Sequence, residues 1–107
     1  MIRVAFFRAD GCITGFEMSG HSGYGKRGKD IVCAAVSSAA LLVACALEDV
    51  LKLDTQTVVR EQDALLSLRL APQDAKKPEC RCVLDAFARH LEGIRTDYPG
   101  TIQISEV

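Results

Sequence analysis

The sequence predicts an α+β two-layer sandwich, with two helices covering one face of a mostly antiparallel sheet in the order ββαββαβ. Three observations carry this. Two short strand-like runs meet at Asp10-Gly11, and a second hairpin pattern lies between residues 55 and 70. Two long segments then show helical character, one almost wholly apolar and the other amphipathic. The 107 residues fit one domain, 1–107, large enough for a core without metal or disulfide staples. No internal repeat or linker interrupts it.

Ile2, Val4 and Phe6 alternate with Arg3, Ala5 and Phe7, which predicts strand one. Asp10-Gly11 is the favoured two-residue hairpin turn, and Ile13 to Met18 returns as strand two. Gly20 to Lys29 is a loop, since Gly20, Gly23, Gly25 and Gly28 fall within nine residues. Helix one runs from about Ile31 to Leu51, is apolar on most sides, and is expected to be buried against the sheet. Thr55 to Glu61 and Ala64 to Leu70 form the second hairpin, with Leu66, Leu68 and Leu70 on one face and Ser67 and Arg69 on the other.

Ala71 to Lys77 is a polar connector, and Pro78 suits a first helical turn. Helix two then places Cys80, Val83, Leu84, Phe87, Leu91, Ile94 and Tyr98 at spacings of three and four. Pro99-Gly100 stops it, and Ile102 with Ile104 makes the last strand.

Composition narrows the function classes. A 49% hydrophobic and 25% charged chain fits a soluble globular protein. A net charge of −1 gives no overall reason to expect a nucleic-acid binder. The amino terminus is a strand pattern, not a basic segment followed by an apolar leader. Helix one has about 17 apolar or small residues before Glu48-Asp49, and its serines and alanines suit a core helix better than a membrane span. Five cysteines in no disulfide-scaffold spacing point to a reducing compartment, the cytoplasm.

The chemistry concentrates where the glycine loop meets helix one. Asp30 is a good N-cap type and would put Cys33 at the third helical position. Amide N–H groups and the positive end of the helix dipole there favour a thiolate. His21, twelve residues upstream, can fold back to take the thiol proton. Asp30 has a second possible job, orienting His21, but its charge would oppose the dipole, and capping is the safer assignment. Ser37 lies one turn after Cys33 on the same helical face, and either supports the site or simply packs closely.

Other motifs are weaker. Gly23 to Lys29 satisfies G-x-x-x-x-G-K, but Asp30 follows where a P-loop needs Ser or Thr for magnesium. Lys26, Arg27 and Lys29 remain available to touch substrate or keep the loop solvated. Cys80 and Cys82 point in divergent directions on a helix, so one metal ion would not hold both. Cys12 and Cys45 look structural, and Cys45 is too far along helix one from Cys33 to pair with it. His90, between Arg89 and Leu91, fits a solvated surface position.

Gly20-His21 followed by Asp30-Ile31-Val32-Cys33-Ala34-Ala35-Val36-Ser37 resembles the Prp family of bacterial ribosomal-processing cysteine proteases, and the likeness spans essentially the whole chain. The resemblance implies a Cys33 nucleophile and a His21 base, with Asp30 and Ser37 in supporting positions. It implies a substrate loop of Gly20, Ser22, Gly23, Gly25 and Gly28 that acts as a lid, and a homodimer. The implied substrate is the short N-terminal extension of a large-subunit ribosomal protein precursor. No metal, cofactor, membrane or direct nucleic-acid contact is expected. Cys33 would attack the scissile carbonyl, amides at the helix start would stabilise the oxyanion, and His21 would protonate the leaving amine. Two rivals stand beside this: a non-catalytic ribosome-associated binding module, and a redox-sensing thiol protein with Cys12 as resolving partner.

Overall fold

In the computed structural model, which describes residues 1–21 and 30–107, the amino-terminal alternation forms β1 (Ile2–Ala9) and β2 (Cys12–Ser19). Asp10 and Gly11 both take positive φ, as the two-residue hairpin turn expected between them requires. The apolar segment becomes α1 (Ile31–Ala44), which passes without a break into a wider π-helical segment, Cys45–Val50. The second hairpin is β3 (Gln56–Arg60) and β4 (Leu65–Arg69). The polar connector carries one short helix, α2 (Pro72–Ala75), because Pro72 presets its first turn and Ala75 drops into the core. The amphipathic segment is α3 (Pro78–Asp97), and β5 (Ile102–Glu106) closes the fold.

The strands form one sheet in the order β3-β4-β2-β1-β5. Every neighbouring pair is antiparallel except β1 with β5. Alternation sorts the two faces: Ile2, Val4, Phe6, Phe16, Met18 and Leu68 are buried, while Arg3 and Arg69 are exposed. The helices pack on the buried face. Phe87 of α3 meets Phe6 edge-on, with centroids 6.0 Å apart, and tilts against Phe16 at 4.8 Å. Cys80, Leu84, Phe87 and Leu91 supply the buried stripe of α3 in the spacing expected of them.

Helix α1 departs from expectation. Val32, Val36, Ala40 and Val43 bury one stripe, and Leu47 of the π segment continues it. Ile31, Leu41, Leu42 and Val50 stay exposed, Leu42 at 70%. With the sheet beneath and α3 beside it, a single helical layer covers only part of the circumference of α1, so an all-round apolar helix leaves its outer side bare. Residues 31–50 remain long and apolar enough to cross a membrane by length and composition, although one stripe of them is built into the core.

Candidate active site

The first turn of α1 is organised by Asp30. Its φ and ψ are extended, and its Oδ1 accepts hydrogen bonds from the backbone N–H groups of Val32 and Cys33, each at 3.0 Å. The residue is buried, and the pattern is that of an N-cap serving the second and third helical positions. Asp30 thus takes the capping role, and Cys33 stands third in the helix as expected. Its side chain is half-buried.

The cap corrects one expectation. The amides of Val32 and Cys33 are not open donors waiting for an oxyanion, because a carboxylate oxygen already holds both. The Ala34 N–H is likewise committed, to the Asp30 carbonyl at 3.0 Å. Ile31 is the first-turn amide that Asp30 does not take.

His21 arrives from the end of β2. Gly20 precedes it with φ +86°, and a Cβ there would lie 2.6 Å from the Met1 carbonyl oxygen. Its N–H reaches the Asp63 carbonyl at 3.4 Å, across the turn between β3 and β4. The chain therefore turns sharply at a residue that must be glycine. That turn puts His21 Nδ1 3.9 Å from Cys33 Sγ, with the imidazole exposed. Separations of this size let a thiol and an imidazole exchange a proton after a shift of a few tenths of an ångström.

The structure thus brings together Cys33, His21 and Asp30, with Gly20 as the pivot. Ser37 sits one turn along α1, exposed. Ser22, Gly23, Gly25 and Gly28 of the expected substrate loop, its lid role, and Lys26, Arg27 and Lys29 lie outside the described residues. Sequence reasoning missed Asp63 and Met1, whose carbonyls fix the pivot. No local signal marks a contact between residues 20 and 63, since it follows from strand pairing alone.

The remaining cysteines stay apart. None of the five forms a disulfide. Cys12 begins β2 and Cys33 follows its far end, so about 23 Å of strand separates the two regions and Cys12 cannot resolve an oxidised Cys33. Cys80 is buried and Cys82 exposed, so they do not share a ligand site. Burial pushes the Cys80 thiol up, with Glu79 adding to the effect. Among the described residues no group of three or more His, Cys, Asp or Glu could hold a metal ion. A cleft of about 350 Å³ lined by Asp54, Gln56, Arg69, Leu70, Ala71 and Pro72 lies at the other end of the β3–β4 hairpin, away from the thiol.

The family model described as cysteine protease Prp matches residues 1–103. The essential ribosomal processing protease Prp of S. aureus, solved with a covalently linked product peptide, superposes with a TM-score of 0.90 at 24% identity, covering 100% of both chains. The same protease solved with a substrate peptide gives 0.84 at 23% identity, again over 100% of both chains. A Streptococcus mutans protein gives 0.84 at 25% identity, over 100% of this chain and 94% of that one. These likenesses establish the fold. No curated protein matches the chain.

Proposed function

This chain belongs to the Prp family of cysteine proteases, and on that premise we propose that it removes a short N-terminal extension from a bacterial large-subunit ribosomal protein. The observation that carries the reading is the approach of His21 Nδ1 to Cys33 Sγ, 3.9 Å, at the capped start of α1. The peptide complexes of the S. aureus relative support a polypeptide substrate bound on this fold.

The chemistry follows from the placement. Cys33 Sγ gives its proton to His21 and attacks the scissile carbonyl carbon. His21 then protonates the departing amine, leaving a thioester on Cys33. Water attacks that thioester, His21 takes the water's proton, and the thiol is restored as the acid leaves. Asp30 fixes the backbone beneath the sulfur, since its carboxylate pins the Cys33 amide. The oxyanion then draws on the Ile31 amide or on donors that come with the substrate, because the next two amides are held. Ser37, one turn along, faces the same side and supports the pair.

The reading includes a homodimer in the bacterial cytoplasm, where ribosomal precursors are made. The bare outer side of α1, with Ile31, Leu41 and Leu42 exposed along it, supports a second copy as its cover. Five cysteines without a disulfide suit that compartment. Incubation with the host's own ribosomal precursor, followed by mass analysis of the product's amino terminus, tests the activity. The wild-type protein shortens the precursor and Cys33→Ala does not. His21→Ala slows the reaction by about a hundredfold or more. An intact precursor after incubation with the wild-type protein overturns the reading.

A further inference from the structure

The cleft at the far end of the β3–β4 hairpin from the thiol holds a carboxylate with no cation of its own. It measures about 350 Å³ and is lined by Asp54, Gln56, Arg69, Leu70, Ala71 and Pro72. Asp54 is exposed and takes part in no ion pair or side-chain hydrogen bond among the described residues. Three other aspartates each hold a lysine or arginine: Asp63 at 3.2 Å, Asp10 at 3.1 Å and Asp74 at 3.0 Å.

The neighbouring arginine shows why Asp54 is left alone. Gln56 pairs with Arg69, Arg69 with Gly15 and Gly15 with Phe7, so the four form one row across the outer face of the sheet. Arg69 Cζ lies 3.8 Å from the centroid of the Phe7 ring, two strands from its own and on the side away from β3. Its stem crosses Gly15, where a Cβ would stand 3.1 Å from Arg69 Cγ and press on the Leu68 carbonyl oxygen. Glycine therefore makes the room, and the attraction of a cation to a ring face draws the guanidinium away from Asp54. Lys52, two residues before Asp54, forms no ion pair with it. The rest of the cleft is apolar: Leu70 is buried, Ala71 half-buried, and Pro72 adds a rigid ring. Gln56 adds an amide, whose oxygen can accept a further N–H. A carboxylate and an amide above apolar walls fit the head and the methylene stem of a lysine or arginine.

We propose that this cleft takes a lysine or arginine side chain from the body of the substrate polypeptide, as an anchor remote from the bond that Cys33 cleaves. The proposal rests on the protease reading above and adds a second contact to it. A ribosomal protein neutralises RNA phosphates and is therefore rich in these two residues, while this chain carries a net charge of −1. Gln56 borders the cleft, and Arg60 ends β3 beside the turn whose Asp63 carbonyl holds the Gly20 pivot. The two stand about 14 Å apart at the rise of a strand. An extended polypeptide needs about four residues to cover that length alone, so the anchored residue lies outside a short peptide centred on the cut.

Kinetics on two substrates test this: the host's full-length ribosomal precursor, and a peptide with about three residues on either side of its cut. Asp54→Lys should raise KM for the precursor about tenfold or more with kcat unchanged, and leave both constants for the peptide within about twofold. Asp54→Asn removes the charge without reversing it and should raise that KM about threefold. Asp54 is exposed, so these replacements leave the fold intact. Among precursors with one lysine or arginine changed to Glu, one should be cut poorly by the wild-type protein and well by Asp54→Lys, the mark of two changes at one contact. Failure of every such swap overturns the anchor, and so does an unchanged KM for the precursor. An equal loss on the peptide overturns it too, since the effect then lies at the thiol. A changed sedimentation mass in Asp54→Lys with KM unaltered gives the cleft to a second copy of the chain. If the wild-type protein cuts neither substrate, the protease reading falls, and binding of labelled precursor to the Cys33→Ala protein decides the anchor. Affinity lost on adding Asp54→Lys keeps it, and affinity unchanged removes it.

Discussion

Asp30 holds two amides with one buried oxygen beside the sulfur, and that single contact shapes both stability and chemistry. Asp30→Ala should cost about 1 kcal/mol of stability, read by urea unfolding, because the first turn loses its cap. Asp30→Asn keeps an acceptor at the same place and should recover most of that loss. Gly20, by contrast, has no such substitute. Gly20→Ala forces a side chain into a positive-φ position 2.6 Å from the Met1 carbonyl oxygen, at a cost of about 1–3 kcal/mol. The same change displaces His21, so precursor processing should fall further than the lost stability explains. Thiol reactivity separates the cysteines as well. Iodoacetamide at neutral pH, followed by peptide mapping, should label Cys33 and leave Cys80 untouched, since burial keeps that thiol protonated and out of reach.

At the scale of elements, α1 serves three surfaces at once: the core, the thiol flank and a bare outer side. Its apolar composition was plain in the sequence, and so was its capped start at Asp30. Which side would be covered was not, because helical spacing cannot distinguish partners when nearly every position is apolar. Val32, Val36, Ala40 and Val43 became the buried stripe, whereas Leu41 and Leu42 did not. The buried stripe of α3, Cys80, Leu84, Phe87 and Leu91, was legible because charges flank it and leave one orientation, whereas Tyr98, expected on that stripe, caps the helix instead. The β-hairpins were likewise readable from alternation and from Asp10-Gly11. The role of the β3–β4 turn in pinning Gly20 was hidden, for it depends on strand order and not on any nearby residue. Leu42→Asp on the outer side of α1 should dissociate the proposed dimer, seen as a halved mass by sedimentation, while the monomer keeps its helical content.

The whole molecule rests on one core in which α3 bridges Phe6 and Phe16 through Phe87, with Leu84 fully buried beside it. Leu84→Ala should destabilise the fold by about 2–5 kcal/mol, since transfer energy and a cavity add together. The buried Cys80 thiol lends a pH dependence. Its folded value is raised, so its contribution is fully present below the ordinary thiol value near 8.5 and is lost as pH rises through the folded value. Urea midpoints should therefore fall as pH rises past the ordinary thiol value, less steeply in Cys80→Ala.

The central claim is that Cys33 carries the acyl group while His21 moves the proton. Intact-mass analysis of the protein mixed with its host precursor and quenched early reads that claim directly. It should show a transient adduct with the mass of the acyl fragment, released by hydroxylamine and mapped to Cys33. Product that accumulates with no adduct on Cys33, and undiminished in Cys33→Ala, would contradict it.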